Sequence, residues 1–530
     1  MMFGLGSYRD LVQPAYYFGL LMMAVSLTLS PFLMSVAQFW MVGIWIIDGA
    51  VNKDFKEKWH HFTHNWIALL IVSLYLLHVF GLVYTSDFQY AFKDLRIKLP
   101  LLVLPFVLSS MKPLSKRQFD LLLNVYVLSV FVATCFSFTH YVRHDYQDVR
   151  EISHFISHIR FCLQIVFCIF ITGYYLLKRQ SKWWERLLEI ILIAWFCVQI
   201  YIFESLSGYV VFCGSIFVTL LYLIRQLRQG RTLFLGTLLF LLFVTAFCGF
   251  KLYCMMKPMM SVEKVDFAAL PKKTAQGNLY WHDTTVFIAE DGRYIGLYYC
   301  HKEMRETWPL RSQMKFDGKT QNGENLEATL ARYLTSKGLT KDAEGVMALD
   351  DQDIRNVEQG IPNYINWIHP GVRARISSTL FEYKLYRHNN YANGGSLSQR
   401  IEYTRASLYL IKEHPIFGIG TGDAPDLYQQ AYDELDSPLD LSYRRRAHNQ
   451  YLSITVAFGA VGLLLFLAVL LLPYCSNKKY RTYLYTIFLC IILLSMLPED
   501  TIETQAGVTF FAFFEALFLL AHPNNEEFEN

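Results

Sequence analysis

The 530-residue chain is 53% hydrophobic, 16% aromatic and only 18% charged, which is the composition of a protein whose main solvent is lipid. Its formal net charge is only +3, and its basic residues lie in short clusters between apolar runs. They do not form a tract that could bind nucleic acid. The sequence therefore predicts an all-α polytopic membrane protein.

Apolar runs long enough to cross a hydrocarbon core about 30 Å thick occur along most of the chain. Nine fall within residues 1–254, a predicted nine-helix transmembrane region: Pro14–Ser30, Pro31–Ile47, Trp66–Tyr84, Ile97–Met111, Leu121–Phe138, Phe161–Leu177, Leu187–Phe203, Tyr209–Ile224 and Leu233–Cys254. Residues 450–530 add three more and a short cytoplasmic tail: Tyr451–Leu472, Tyr483–Leu497 and Val508–Ala521. We therefore expect about twelve transmembrane helices.

Lysine and arginine are distributed unevenly between the two sides of these runs. Sixteen lie in the short loops of one side, among them Lys53, Lys112, Lys178 and Lys478, and six lie on the other. By the positive-inside rule, the first side faces the cytoplasm. We therefore expect a multi-pass protein of the bacterial inner membrane, with both termini in the cytoplasm and the long insert in the periplasm.

Residues 255–449 form this insert, which is long enough to fold as a periplasmic domain. A β-hairpin is predicted from Thr285–Ile288 and Tyr294–Tyr299, which flank Glu290-Asp291-Gly292. Helices are predicted at Leu326–Leu334 before Gly338, at Asp350–Gln359 before Gly360, and from about Ser398 to Glu413 before Pro415. The insert should thus be mostly helical with one small hairpin.

A basic cluster, Arg444-Arg445-Arg446, and His448 stand immediately before the tenth apolar run, on the side where few cations are expected. Guanidinium groups there suit a lipid phosphate or pyrophosphate, although Arg444 and Arg445 could simply extend toward headgroups. An imidazole, with an ordinary pKa of about 6.5, can accept a proton from a hydroxyl. His448 is therefore a candidate general base, the alternative being a capping or packing residue.

The pair His448-Asn449 is followed, after nine residues, by Gly459-Ala460-Val461-Gly462. This pattern resembles the signature of the O-antigen ligase superfamily: His, then Asn, Ser or Gln, nine residues, Gly, two residues, and Gly, Thr or Tyr. Upstream, Arg400 and Arg405 with the Glu413–Gly420 turn are similar to the family's arginine helix and glycine turn, and Glu503–Gly507 also resembles the family. The likeness covers roughly Ser205–Ala521.

One departure concerns the outer start of the eighth run. Many family members carry Ser-Arg or Ser-Lys there, whereas this chain has Ser205-Leu206-Ser207-Gly208. Arg160, at the outer start of the sixth run, could supply the missing basic contact or act as an interfacial anchor.

The resemblance implies a metal-independent glycosyltransferase that uses a polyprenyl-pyrophosphate-linked glycan as donor, with no cofactor. His448 would take the proton of an acceptor hydroxyl, while Arg400, Arg405, Arg446 and Arg160 would bind the donor pyrophosphate. The acceptor would be lipid A-core in an O-antigen ligase, which is the first choice. It would be another repeat unit in a polymerase, or a protein Ser or Thr in a protein O-oligosaccharyltransferase. The expected partners are therefore donor, acceptor and membrane lipids, without nucleic acid.

A transporter or flippase of an anionic lipid-linked substrate is the alternative of another class, although a nine-to-three division of helices is unusual for repeated transporters. Gly418–Asp423 has the glycine spacing of a phosphate loop but follows a helix and a proline, so we interpret it as a tight turn. Tyr280–Asp283 and Trp308 could stack on sugar rings or form the core of the insert. Cys254 and Cys300 could pair, which the sequence leaves open.

Overall fold

The computed structural model describes residues 5–143, 149–178, 182–226, 231–285, 288–393 and 395–522. The helices before the long insert are α1 (Leu5–Leu29), α2 (Pro31–Asn52), α3 (Phe55–Thr63), α4 (Trp66–Phe80), α5 (Phe88–Lys98), α6 (Pro100–Ser109), α7 (Lys116–Arg143), α8 (His158–Lys178), α9 (Trp183–Phe203), α10 (Leu206–Gln226) and α11 (Arg231–Met260).

The elements that follow include two very short strands, β1 (Ala289–Glu290) and β2 (Arg293–Tyr294). The helices are α12 (His301–Thr307), α13 (Leu326–Lys337), α14 (Ala343–Met347), α15 (Asp351–Glu358), α16 (Tyr364–Ile368), α17 (Val372–Asn389), α18 (Ser396–Glu413), α19 (Ala424–Glu434), α20 (Gln450–Ser476), α21 (Tyr483–Ser495) and α22 (Gln505–Leu520).

Eight helices in the described part of the chain are long and apolar enough to cross a membrane: α1, α2, α4 with the 3-10 turn after it, α7, α8, α9, α10 and α20. Two shorter apolar helices, α21 and α22, complete the C-terminal group. The other predicted runs correspond to α6 and to the thirty-residue α11. The prediction of an all-α polytopic membrane protein with a small hairpin is confirmed.

The fourth predicted run is interrupted in the structure. Pro100 begins α6, which has only ten residues and therefore rises about 15 Å, half of a hydrocarbon core. The preceding α5 is amphipathic and buries Asp94 and Lys98 on one face. This face contacts α4 and the 3-10 turn Thr501–Glu503, so the break brings charged groups into the protein interior.

The chain divides into two compact units. The first contains residues 1–235, 403–435 and 445–530, and the second contains residues 236–402 and 436–444. The predicted periplasmic region, residues 255–449, thus includes a stretch that packs with the apolar helices.

The core of the first unit is built around α22. Every residue from Val508 to Leu519 is buried, as expected for a helix that is apolar apart from Thr509 and Glu515. The ring of Phe514 lies 4.9 Å from that of Tyr126, 5.0 Å from Phe167 and 5.7 Å from Phe488, measured between centroids. Helices α7, α8 and α21 therefore pack against α22 through aromatic side chains, which bury large areas.

The second unit has a separate core centred on α13. Leu326, Leu330, Tyr333 and Leu334 are fully buried on one face, and Gly338 ends the helix with φ of 78°, as predicted. Trp308 is also fully buried, and its indole N–H donates to the carbonyl of Met314 at 2.9 Å. Trp308 therefore belongs to the core rather than to a sugar-binding surface.

The predicted hairpin is present but shorter than expected. Asp291 and Gly292 form its turn with φ of 47° and 87°, which is the type I′ geometry favoured between twisted strands. The strands pair Ala289 with Tyr294 and Glu290 with Arg293. The predicted strand bounds were therefore wrong, and residues 286 and 287 lie outside the described residues. Cys254 and Cys300 are both free thiols.

Candidate active site

His448 lies immediately before α20, at the point where the chain enters the longest apolar helix of the C-terminal group. The side chain of Asn449 caps α20 by accepting from the backbone N–H of Leu452 at 3.0 Å. Its amide also donates to the carbonyl of Leu497 at 2.9 Å, which ties the start of α20 to the end of α21. His448 itself adopts φ of 46°, a conformation that few residues with a Cβ adopt. The motif thus combines a capping Asn with a His in a constrained backbone.

The half-buried imidazole of His448 has a carboxylate on one side and an aromatic ring nearby. Its Nδ1 lies 3.8 Å from Oδ1 of Asp500, which is within ion-pair distance when the imidazole is protonated. The ring of Tyr403 in α18 lies 5.5 Å away between centroids. A carboxylate in this position favours the imidazolium that forms when the histidine accepts a proton.

Arg446 is held by Glu503, which lies in the 3-10 turn before α22. The Nη1 of Arg446 donates to Oε2 of Glu503 at 3.0 Å, and Nζ of Lys98 donates to the same oxygen at 2.9 Å. The other carboxylate oxygen accepts from the side-chain amide of Gln450 at 3.1 Å. Lys98 also donates to Asp94 at 2.5 Å. Two cations and two carboxylates therefore form one network, in which Lys98, Asp94 and Glu503 are buried and Arg446 is half-buried.

The charge state of Glu503 follows from this network. Burial alone would raise the pKa of Glu503, but the Lys98 ammonium and the Arg446 guanidinium hold that pKa well below its ordinary value. Burial would likewise lower the pKa of Arg446, and the Glu503 carboxylate more than offsets this effect. Both groups are thus ionised at neutral pH.

A small cavity of about 30 Å³ lies beside the network, large enough for one or two water molecules. Its walls include His78, Asp94, Lys98, Ser453, Arg446 and Glu503. The hydroxyl of Ser453 finds no hydrogen-bond partner among the described residues. Buried hydroxyls are normally paired, so an ordered water is the natural occupant.

The first glycine of the motif, Gly459, interrupts α20. It adopts φ of 62° and ψ of −159°, and a Cβ built there would lie 2.2 Å from the carbonyl carbon of Ile416. The segment after α18 fills this interruption, because Ile419 and Gly420 donate to the carbonyls of Val456 and Ala457 at 3.0 and 2.9 Å. A larger residue at position 459 would prevent this approach.

The Gly418–Asp423 segment serves the same packing and is not a phosphate loop. The carboxylate of Asp423 accepts from the backbone N–H of Ser86 at 2.7 Å and of Asp87 at 2.8 Å. The hydroxyl of Thr421 donates to the carbonyl of His78 at 2.7 Å. These contacts join the segment to the last turn of α4 and to the chain that connects α4 with α5.

The remaining predicted arginines have different surroundings. Arg400 and Arg405 lie in α18, where Arg400 is half-buried and Arg405 is exposed. Arg444 donates its Nε to the carbonyl of Leu439 at 3.1 Å, and Arg445 is exposed. Arg160 lies at the start of α8, with an Nε that is buried without a hydrogen-bond partner among the described residues. The structure thus brings Arg446 into the charged network beside His448, while roles for the other arginines stay predictions.

Several residues of this site were not predicted as functional. Asp500, Tyr403 and the pairing of Lys98 with Glu503 emerge only from the fold, because Lys98 and Glu503 are 405 residues apart. The acidic members, Asp500 and Glu503, could have been identified because they lie with Glu499 in a short loop between two apolar runs. Ionisable groups beside membrane segments often mark functional sites.

Among the described residues, one group of side chains has the types and spacing to hold a metal ion. His448, Glu499 and Asp500 each offer one ligand atom, and these atoms lie within 4.8 Å of one another. Imidazole and carboxylate ligands suit several divalent cations. Because the same three groups can also act through hydrogen bonds and charge alone, the predicted metal independence needs a direct test.

Comparison with known protein families gives a match in the later part of the chain. A family model described as O-antigen ligase matches residues 364–467, a stretch that runs from α16 into α20 and includes Arg400, Arg405, Arg446 and His448. A comparison with curated proteins found no match. The family match confirms the resemblance predicted from the histidine and glycine motif.

Proposed function

We propose that this chain, as a member of the O-antigen ligase superfamily, transfers an oligo- or polysaccharide from a polyprenyl-pyrophosphate donor to an acceptor hydroxyl at the periplasmic face of the inner membrane. The observation that carries the proposal is the placement of His448 at the start of α20, beside Asp500 and two residues after the half-buried Arg446. Arg446 and His448 lie within residues 364–467, which the family model matches, and Asp500 lies beyond them.

His448 acts as the general base in the proposed reaction. It takes the proton of the acceptor hydroxyl as the oxygen attacks the anomeric carbon of the donor sugar. The new glycosidic bond forms while the bond from that carbon to the pyrophosphate oxygen breaks, and the electron pair leaves with the pyrophosphate. Asp500, 3.8 Å from Nδ1 of His448, stabilises the resulting imidazolium.

Arginine side chains offset the charge that develops on the leaving pyrophosphate. Arg446 has five N–H donors, and its hydrogen bond to Glu503 engages Nη1. Glu503 thereby orients the guanidinium before the donor arrives, which lowers the cost of ordering it. We assign Arg400 and Arg405 in α18, and Arg160 in α8, to further contacts with the lipid-linked donor.

The acceptor in this proposal is lipid A-core, which makes the protein an O-antigen ligase. A chromosomal deletion with analysis of surface polysaccharide tests the assignment. We expect the deletion strain to accumulate unligated lipid-linked polymer and to make lipid A-core without O-polysaccharide. Single capped repeats would instead identify a polymerase, and loss of glycoproteins with normal lipopolysaccharide would identify a protein O-oligosaccharyltransferase. An unchanged glycan profile would contradict all three.

A further inference from the structure

The second unit contains a recess of its own, with a volume of about 470 Å³. This size lies within the range of small-molecule binding sites. The recess is lined by Asn278, Leu279, Trp281, Tyr299, Cys300, His301 and Lys302. It therefore combines aromatic and aliphatic surface with amide, imidazole and ammonium groups.

Trp281 is the main apolar feature of this recess. Its exposed fraction is 59%, whereas Trp308 and Tyr333 of the same unit are fully buried. The neighbouring Leu279 is 71% exposed. A unit that can bury two large aromatic side chains completely gains nothing for its own stability by leaving an indole in contact with solvent. The exposed indole therefore indicates a binding surface rather than a part of the core.

The backbone that carries the indole is held in place, and one edge of the ring is packed, before any ligand binds. The backbone N–H of Trp281 donates to the carbonyl of Tyr299 at 2.7 Å, and the reciprocal bond measures 3.1 Å. The two rings meet edge to face, with centroids 6.0 Å apart, and the Tyr299 hydroxyl donates to Glu327 at 2.6 Å. Little conformational entropy would be lost when a ligand packs against such a ring.

Polar groups border the aromatic surface. The ammonium of the exposed Lys302 lies 3.4 Å from Oδ1 of Asn278, and the amide of Asn278 donates to the buried Glu303 at 2.8 Å. His301, also exposed, lies 3.6 Å from Glu327. Positive and negative groups are thus balanced around the recess, which suits an uncharged ligand with several hydroxyl groups.

We propose that this recess binds a pyranose ring of the glycan that the protein transfers. A pyranose has an apolar face of C–H groups, which can pack on the indole of Trp281, and a rim of hydroxyls, which can bond to Asn278 and Lys302. The identity of the glycan rests on the proposed function. The ring can come from the donor polysaccharide or from the core oligosaccharide of the acceptor, since both present the same chemistry.

The test measures binding of two isolated glycans to the full-length protein in nanodiscs by saturation-transfer NMR. One glycan is the polysaccharide released from the lipid-linked donor, and the other is core oligosaccharide released from lipid A. We expect Trp281→Ala to weaken binding of at least one of them about tenfold. Trp281→Phe, which keeps a ring, should retain most of the affinity, and Lys302→Ala, at an exposed position that leaves the fold intact, should weaken binding less than Trp281→Ala.

Trp367→Ala is the matched control, because Trp367 is 40% exposed in the same unit but does not line the recess. Loss of the donor signal alone assigns the recess to the donor, and loss of the core signal alone assigns it to the acceptor. Equal binding by wild type, Trp281→Ala and Trp367→Ala, or no binding by wild type, overturns the inference. These results do not depend on transfer, so they are separate from the deletion phenotype that tests the proposed function.

Discussion

At the scale of single residues, Glu503 holds the charges of the candidate site together. Its carboxylate accepts from Lys98, Arg446 and Gln450, and its side chain is only 7% exposed. Removing one partner from a buried ion pair leaves the other charges uncompensated, which typically costs about 3–5 kcal/mol. We therefore expect Glu503→Gln to lower the thermal stability of the detergent-solubilised protein substantially.

A matched substitution on an exposed pair provides the control. Glu263 lies 3.6 Å from Arg293 and both side chains are largely exposed, so Glu263→Gln should leave the melting temperature almost unchanged.

Because the pKa of Glu503 is lowered by folding, its stabilisation is fully present above the ordinary carboxyl pKa of 4.5 and is lost as the pH falls through the lowered value. The difference in melting temperature between wild type and Glu503→Gln should thus be constant from pH 6 to 8 and shrink only in acid. A difference that shrinks between pH 8 and 6 would contradict this account.

Whether the proposed transfer needs a metal ion depends on three single residues. His448, Glu499 and Asp500 could ligate a cation, yet the proposed reaction uses a donor whose bond to pyrophosphate already carries the activation. In the proposed reaction, arginines rather than a metal offset the leaving-group charge. We expect EDTA to leave transfer in isolated membranes within about twofold of the untreated rate. Loss of transfer that Mg²⁺ or Mn²⁺ restores would contradict metal independence and make these three residues the candidate ligands.

At the scale of elements, the glycine motif is explained by packing. Gly459 interrupts α20, and the chain after α18 donates backbone hydrogen bonds to the carbonyls of Val456 and Ala457 at this interruption. We expect Gly459→Ala to destabilise the protein by about 2 kcal/mol or more and to reduce transfer, because a Cβ would meet Ile416 in a positive-φ conformation. Thermal unfolding and a complementation assay measure the two effects.

Gly173→Ala in α8 is the control for this prediction. No atom lies within 4 Å of a Cβ built at Gly173, and the helix favours alanine over glycine. Its melting temperature should stay equal to wild type or rise slightly. If Gly459→Ala behaved like Gly173→Ala, the interruption in α20 would not need glycine.

The elements that could be predicted were those whose signals are local. Residue spacing and capping identified α13, with Gly338 after it, and α15, with Asp350 as its N-cap in a reciprocal capping box. Helix α17, from Val372 to Asn389, was missed because it buries only Ser377 and Phe381 and so has no clear apolar stripe. The contacts of Gly459 with Ile416 could not be predicted either, since they join residues far apart in the chain.

At the scale of the whole molecule, apolar runs and loop charges predicted the class of protein, while packing determined which segments belong together. Residues 403–435 have the polar composition of a water-soluble segment, yet they pack within the first unit. Composition cannot reveal this, because the stretch is held by backbone bonds to α20 and by Asp423 rather than by an apolar pattern. The histidine motif, by contrast, was sufficient to predict the resemblance to O-antigen ligases that the family model supports over residues 364–467.

The predicted sidedness can be tested by cysteine labelling in a cysteine-free background. Leu310→Cys, at a position 76% exposed in the second unit, should react with an impermeant reagent when only the outer membrane is permeabilised. Lys478→Cys, in the exposed loop between α20 and α21, should be protected until the inner membrane is also opened. The reverse pattern would contradict the predicted topology.

The proposed transfer chemistry depends most directly on the imidazole of His448. The measurement is surface glycan in a deletion strain complemented with His448→Gln, with membrane insertion confirmed by immunoblot. Glutamine keeps hydrogen bonding and approximate size but cannot accept a proton near neutral pH. We predict a loss of transfer of about a hundred-fold to ten-thousand-fold, enough to remove surface O-polysaccharide. Near-normal glycan in this variant would contradict His448 as the general base.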